Sequence, residues 1–438
     1  MSPNQIGVAV PTVLLPVASI DRAKWAVIAC DQFTSEPEYW ERVEATVGEA
    51  PSTFRMILPE LYLTAPDVED RIARCQQTMK SYLDQGLLEP KDAFVYVERS
   101  VSGGKTQKGL VVALDLETYD YNKGSQTLVR ATEGTVLDRL PPRMKVRRGA
   151  DLESPHILVL YDDPQGAVLS GVHENLDALE VAYDVELMEG SGHLTGRLVS
   201  DAALQARITD ALASLIAPAA YRAKYGLESE QPLLFAMGDG NHSLATAKAI
   251  WNELKEAGAP ADHPARHALV ELVNLHDDSL VFEPIHRVIF HAGDLGEQLK
   301  AHFGARASYT TLADMDALNA AVREDVAPKQ RFGFVSPEGH TLVELSDPSH
   351  ELAVGSLQEF LDAFIAASAD AEIDYVHGEE PVDRLARAEG NVGFVLPAIG
   401  KGTFFKSIAV DGALPRKTFS MGHAHDKRFY MECRRISV

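Results

Sequence analysis

Leu233-Leu234-Phe235-Ala236-Met237-Gly238-Asp239-Gly240-Asn241-His242-Ser243-Leu244 is the stretch that decides how this chain is read. Leu233–Met237 is a short apolar run, Gly238–Ser243 a polar turn, and Leu244–Ala257 has the pattern of a helix stopped by Gly258. A strand entering a helix through such a turn gathers free backbone N–H groups and a positive dipole end in one place. That geometry holds anions, phosphates above all, without a lysine. Gly238 and Gly240 allow close backbone approach to a ligand. Asp239 can hold a divalent cation or accept a proton, and Asn241 can donate and accept. His242 titrates near neutrality, and Ser243 is placed to cap the helix. An ordinary capped turn, in which Asp239 or Asn241 satisfies the first-turn N–H groups, would use the same residues. The Gly-Lys-Ser/Thr ending of a Walker loop is missing.

Working outward, Ser200 is expected to cap a helix with the stripe Leu204, Ile208, Leu212 and Leu215. Strand signals precede it at Thr127–Val129, His156–Tyr161 and Val181–Met188. Phe94–Arg99 and Gly109–Leu116 flank the turn Ser102-Gly103-Gly104-Lys105 and predict a hairpin. Asp67–Gln85 carries Val68, Ile72, Cys75, Met79 and Leu83 at helical spacing; Thr64 and Asp67 have capping-box spacing, and Gly86 is a stop. Downstream, Ala268–Leu275 and Leu280–Phe290 read as a strand pair turning at Asp277-Asp278. Helices are expected near Met315–Val322 and Leu357–Ala367, and strands at Arg331–Val335, Thr341–Glu344, Val392–Leu396 and Phe404–Ala409. The whole is a mixed α/β pattern, with a region 1–300 holding the strand-turn-helix and a region 301–438.

With 438 residues, 45% hydrophobic and 24% charged, the chain has globular composition and room for two or three domains. Its 64 acidic against 41 basic residues give a formal charge of -23, which repels nucleic acid unless cations gather locally. Arg139, Arg143, Lys145, Arg147 and Arg148 form one such gathering, either a solvated loop or an anion site. Cys30, Cys75 and Cys433 are too few and too scattered for a disulfide framework or zinc knuckle, and Cys75 belongs to an apolar stripe. Pro11 and Pro16 break the apolar stretch Ile6–Val17, and no run reaches a membrane span, so a cytoplasmic protein without membrane or nucleic-acid partners is expected.

Other residues carry chemistry too, each beside a plainer account. Glu133, close to Asp138, Arg139 and Arg143, is a general base or magnesium ligand, or a surface ion pair. His286-Arg287 follows a strand, where the guanidinium either clamps phosphate or forms a buried structural pair. Asp31 ends the apolar run Trp25–Cys30, a place for a catalytic carboxylate or for a turn acid. Lys417 can reach a phosphate as a point charge, and His423 with His425 at i, i+2 can bind a metal from a strand or lie in a solvated tail.

Several of these segments together resemble a known family. Phe235-Ala236-Met237-Gly238-Asp239-Gly240-Asn241-His242-Ser243 resembles the Ala-Asp-Gly-His-His-Arg signature of the family called domain of unknown function 1015. Thr132-Glu133-Gly134-Thr135 resembles its His-Glu-x-Thr segment, and Pro284-Ile285-His286-Arg287-Val288 its Pro-x-His-Arg-Val. Ile373-Asp374-Tyr375-Val376-His377 and Pro415-Arg416-Lys417-Thr418-Phe419 resemble its C-terminal motifs, in the same order. More distantly that family is similar to the ParB/sulfiredoxin-like fold, whose members bind nucleotides at a Gly/His/Arg turn and include partition proteins, sulfiredoxins and free-serine kinases. Here Asn241 stands for the first histidine and Ser243 for the arginine. The resemblance implies nucleotide or phosphate chemistry without choosing a substrate; the leading expectation is a phosphotransferase acting on a small hydroxyl-bearing molecule with ATP or ADP and Mg²⁺, a serine-like acceptor being what the likeness to free-serine kinases implies. Within this reading the catalytic candidates are His242, Glu133 and Asp239, the metal candidates Asp239 and Glu133, and the phosphate candidates Gly238, Gly240, Asn241, Ser243, His286, Arg287 and Lys417, with Arg139 and Arg143 of the basic run as a further source of positive charge. Hydrolysis at the same site, or nucleotide sensing without catalysis, are the competing implications.

Overall fold

A computed structural model describes residues 6–122, 124–154, 156–227 and 232–438. Two compact units emerge: Met1–Leu280 joined by Gly422–Val438, and Val281–Met421. The boundary drawn near 300 falls inside the helix Leu295–Phe303, and the last residues return to the first unit.

The first unit is built on a mixed ten-stranded sheet. From one edge the order is Glu180–Glu186, His193–Val199, Phe94–Val101, Lys105–Asp115, His267–Asn274, Leu158–Tyr161, Phe235–Asp239, Val129–Arg130 and Tyr119–Asp120, with Val8–Ala9 beside Lys105–Asp115. The hairpin expected around residue 103 forms as read, because Gly103 and Gly104 take the positive φ values of 76° and 69° that its turn needs. The helix Val68–Asp84 buries Ile72, Cys75, Met79 and Tyr82. No side chain caps it, so the capping box expected from Thr64 and Asp67 is absent. The helix Ala202–Leu215 buries Leu204, Ile208 and Leu212, but its cap is Asp201, whose carboxylate accepts from the Leu204 N–H at 2.8 Å, and not Ser200.

The second unit is a seven-stranded antiparallel sheet in the order Ala307–Leu312, Gly339–Leu345, Gln330–Ser336, Val392–Val395, Phe282–Phe290, Glu372–His377, with Phe419–Met421 beside Phe282–Pro284. Helices cover both of its faces. Neighbouring residues Val288 and Ile289 therefore enter separate cores, one with Leu318 and Val382, the other with Leu299 and Leu357.

Two expectations are corrected here. Ala268–Leu275 and Leu280–Phe290 do not pair, since His267–Asn274 belongs to the first sheet and Phe282–Phe290 to the second. The loop at Asp277-Asp278 is where the chain leaves one unit for the other, and spacing alone does not separate such a crossing from a hairpin. Phe404–Ala409 lies in a helix, Lys401–Asp411, where Phe404, Phe405 and Ile408 share a buried face at helical spacing. A short apolar run carries no period long enough to tell the two apart.

Candidate functional site

The strand Phe235–Asp239 lies between Leu158–Tyr161, antiparallel, and Val129–Arg130, parallel. Its buried residues Phe235, Ala236 and Met237 hold it in the sheet, so the chain emerges at Asp239 with fixed direction. Gly240 then turns it into the helix Asn241–Glu256 at φ 76°. A β-carbon at Gly240 would meet the Ile157 Cα at 3.1 Å, so conformation and space both demand glycine. Gly240 is also the cap residue, and no side chain caps the helix. Ser243, expected to cap, instead lies within the first turn with its hydroxyl 3.3 Å from the His156 Nε2. Asp239 does not cap it either: one carboxylate oxygen accepts from the Gly240 N–H at 2.8 Å and the other pairs with the Lys427 ammonium at 2.9 Å. Two side-chain atoms in this turn, Asn241 Oδ1 and His242 Nε2, are buried without a hydrogen-bond partner among the described residues. Buried polar atoms left unpaired are a minority in folded chains, and these two lie side by side at the start of the helix.

Three strands of distant sequence supply the surroundings. Asp31 follows Val27–Ile28, which pairs with Phe429–Tyr430 of the returning C-terminal segment. His156 precedes Leu158–Tyr161. Its Nε2 lies 3.3 Å from the Asp31 carboxylate and its Nδ1 2.7 Å from the Tyr430 hydroxyl, which also accepts from the Cys30 N–H at 3.1 Å. Burial works against a charged His156, but the Asp31 charge and hydrogen bond raise its pKa above the ordinary value. Burial likewise opposes an ionised Asp31, yet His156, Gln32 and Lys427 hold its carboxyl well below the usual range. The two form an imidazolium–carboxylate pair. Beside them Arg143 donates twice to Glu60, at 2.8 and 2.5 Å. Glu60, Arg143, His156, Ser243 and Tyr430 line one cavity of about 160 Å³.

His242 stands apart from that pair in its proton affinity. Burial first, then the positive charges of Arg143 and Arg139, lower its imidazole to about 4, so it is neutral at pH 7. An unprotonated imidazole with an unpartnered Nε2 can take a proton from a bound hydroxyl.

The structure thus brings Asp31, Asp239, Asn241, His242, Ser243 and Arg143 into one neighbourhood, with Arg139 acting on it through charge. Glu133 is half-buried in the loop after Thr132, whose hydroxyl the Asn241 amide reaches at 3.5 Å. The basic run is no open anion site along its length, nor a loop: Arg143, Lys145 and Arg147 lie in the helix Leu140–Arg147, flanked by Arg139 and Arg148, and Lys145, Arg147 and Arg148 pair with Glu69, Glu153 and Glu253. In the second unit Arg287 has no exposed surface. It donates to Gln358 Oε1 and to the carbonyls of Ile285, Arg416 and Lys417, which is the structural role rather than a phosphate clamp. His286 is buried with Nδ1 accepting the Leu396 N–H at 3.1 Å, and burial lowers its pKa to about 4. Lys417 is exposed, at a positive φ of 55°. His423 precedes and His425 lies within the short 3-10 turn Ala424–Asp426, not a strand, and among the described residues no three His, Cys, Asp or Glu side chains group to hold a metal ion.

Sequence reasoning missed His156, Tyr430, Lys427 and Glu60. His156 stands at the head of an apolar strand, and Phe429-Tyr430-Met431 is a wholly apolar run in a polar tail; both are burial signals, and neither announces chemistry.

The model of the family described as Protein of unknown function (DUF1015) matches residues 14–364. No curated protein matches the sequence. Among solved structures, a free serine kinase variant in complex with AMP is 12% identical with a TM-score of 0.39, over 77% of this chain and 94% of that one. A conserved hypothetical protein from Pyrococcus furiosus is 11% identical with a TM-score of 0.34, over 72% and 90%. SbnI from Staphylococcus aureus, truncated at its C-terminus, is 10% identical with a TM-score of 0.36, over 73% and 85%.

Proposed function

The chain belongs to the family described as Protein of unknown function (DUF1015), and for this member we propose a nucleotide-dependent phosphotransferase acting on the hydroxyl of a small metabolite. One observation carries the reading: an uncapped helix start at Gly240 beside two buried, unpaired side-chain atoms, Asn241 Oδ1 and the neutral His242 Nε2. In this reading the backbone N–H groups of the first turn hold the phosphate oxygens, with the helix dipole favouring their charge. Arg139, exposed and outside any ion pair among the described residues, adds positive charge. The acceptor hydroxyl attacks the terminal phosphorus, and its proton passes to His242 Nε2. The bond from that phosphorus to the bridging oxygen breaks, and the shortened nucleotide leaves with the electron pair. Catalysis here consists of positioning and charge neutralisation. Asp239 is held by Lys427 and Gly240, so a divalent cation would have to displace the lysine, and the ammonium itself neutralises that carboxylate.

The test is ³¹P NMR of the purified chain with ATP or ADP and a set of hydroxyl-bearing metabolites, serine included. A new phosphomonoester resonance that vanishes in His242→Ala supports transfer. Inorganic phosphate alone would mean hydrolysis, the competing reading. A folded His242→Ala chain with undiminished turnover would remove the imidazole from the mechanism.

A further inference from the structure

A second, roomier cavity lies beside the one at Ser243. A cleft of about 640 Å³ runs beside the helix Val68–Asp84, within the volume range of small-molecule sites. It is a separate site: Ile57 and Leu58 line both cavities and form the wall between them.

The segment 51–62 runs along this helix in the opposite direction. Tyr62 lies under the Arg71 guanidinium at 3.9 Å, the Ile57 carbonyl accepts from the Cys75 thiol, and the Ser52 N–H donates to the Tyr82 hydroxyl. The lining residues therefore sort into two ends. At one end are Arg71 and Arg74. Arg71 uses its Nε on Asp67 at 3.0 Å, and Arg74 only approaches that carboxylate at 3.9 Å, so both guanidiniums keep their outer N–H edges free among the described residues. At the other end, beside Ser81 and Gln85, are Glu44 and Glu49, neither of them in an ion pair among the described residues. Arg55 lies at this end, its guanidinium donating to the Gly48 carbonyl. Between the ends the floor is apolar, with Phe54, Ile57 and Leu58.

We propose that this cleft binds short peptides with free termini, the carboxylate on Arg71 and Arg74 and the ammonium on Glu44 and Glu49. The roughly ten residues of helix between the two ends span about 15 Å. An extended chain of about four residues covers that length, and the apolar floor suits aliphatic side chains in its middle. Paired guanidiniums make charge-assisted, geometrically selective bonds to a carboxylate, which a neutral amide does not match.

The probe is the tetrapeptide Ala-Leu-Leu-Ala, titrated calorimetrically into the full chain beside its N-acetylated and C-amidated forms. The free peptide should bind once per chain. Blocking either terminus should weaken it about tenfold or more, the loss expected for a charge-assisted hydrogen bond. Arg74→Gln should narrow the preference for free acid over amide several-fold, and Glu49→Gln should narrow the preference for free over acetylated peptide. Both positions are exposed, so the variants fold. No saturable binding of the free peptide, equal affinity for the blocked forms, or unchanged selectivity in both variants would each overturn the proposal. So would a cleft that takes AMP and ignores the peptide. None of these outcomes bears on phosphoryl transfer at His242.

Discussion

His242 and His156 sit close in the fold and titrate in opposite directions, for reasons that can be named. His156 faces the Asp31 carboxylate, which raises its pKa, whereas His242 is buried near Arg143 and Arg139, which lowers it to about 4. The consequences for stability have opposite signs. For His242 the folded value lies below the ordinary 6.5, so the unfolded chain binds that proton more readily. Its contribution is intact above pH 6.5 and is lost as pH falls from there toward 4. For His156 the folded value lies above 6.5, so its contribution is full below 6.5 and is lost as pH rises through the folded pKa. Urea midpoints of wild type and His242→Gln at pH 7.5 and pH 5 separate the two. The variant should gain about 1 kcal/mol relative to wild type at the lower pH, a figure already reduced for the half-exposed ring. An equal difference at both values would place the His242 pKa near 6.5. Little of this was legible beforehand: His242 was a candidate from its neighbours in sequence, but its protonation state depends on arginines a hundred residues away. Asp31 likewise took its partner, His156, from a strand that its own sequence does not mention.

At the scale of elements, the strand-turn-helix was the most readable feature, and its reading failed only in detail. The apolar run, the glycines and the helical stripe are local signals, and they placed Phe235–Asp239 and Asn241–Glu256 to within a few residues. The cap was misread because a serine near a helix start is a strong prior, while a glycine cap is set by contact with Ile157 in another strand. Two substitutions exploit the difference. Gly240→Ala forces a side chain into a positive φ and against the Ile157 backbone, so it should cost about 2 kcal/mol and displace the first turn. Asp201→Ala removes a real cap from the helix Ala202–Leu215 and should cost about 1 kcal/mol. The first should also abolish any thermal stabilisation by ATP, and the second should leave it intact. Equal retention of nucleotide stabilisation in both variants would detach the helix start from the ligand. Ser200→Ala, by contrast, should be silent in urea melts.

For the whole molecule, the sequence reading expected two regions in succession, and the contacts arrange them as an insertion. Periodicity reports what a segment is, not which distant segment it pairs with, so nothing local told that residues 422–438 return to the first unit. That return is well anchored. Phe429, Met431 and Cys433 are buried in the same core as Trp25 and Val95, and the Leu14 and Cys433 backbones bond reciprocally at 2.8 and 2.9 Å. Arg428 pairs with Glu271 and Glu432 where all three are buried, and Arg434 holds Glu153 at 2.8 Å. Removing one partner of such a buried pair costs about 3 kcal/mol or more, a large part of a domain's stability of about 5–15 kcal/mol. A chain ending at Met421 loses several such partners at once, together with Lys427 and Tyr430 of the candidate site. It should therefore lose the cooperative unfolding of the first unit. A fragment of residues 281–421 has its own closed set of strands and two cores, and should fold alone. Circular dichroism melts and ¹⁵N–¹H NMR spectra of the two proteins decide the matter. A cooperative first-unit transition in the truncated chain would mean that the C-terminal segment is a passenger, and the Asp239–Lys427 and His156–Tyr430 contacts would then lose their claim on the site's architecture.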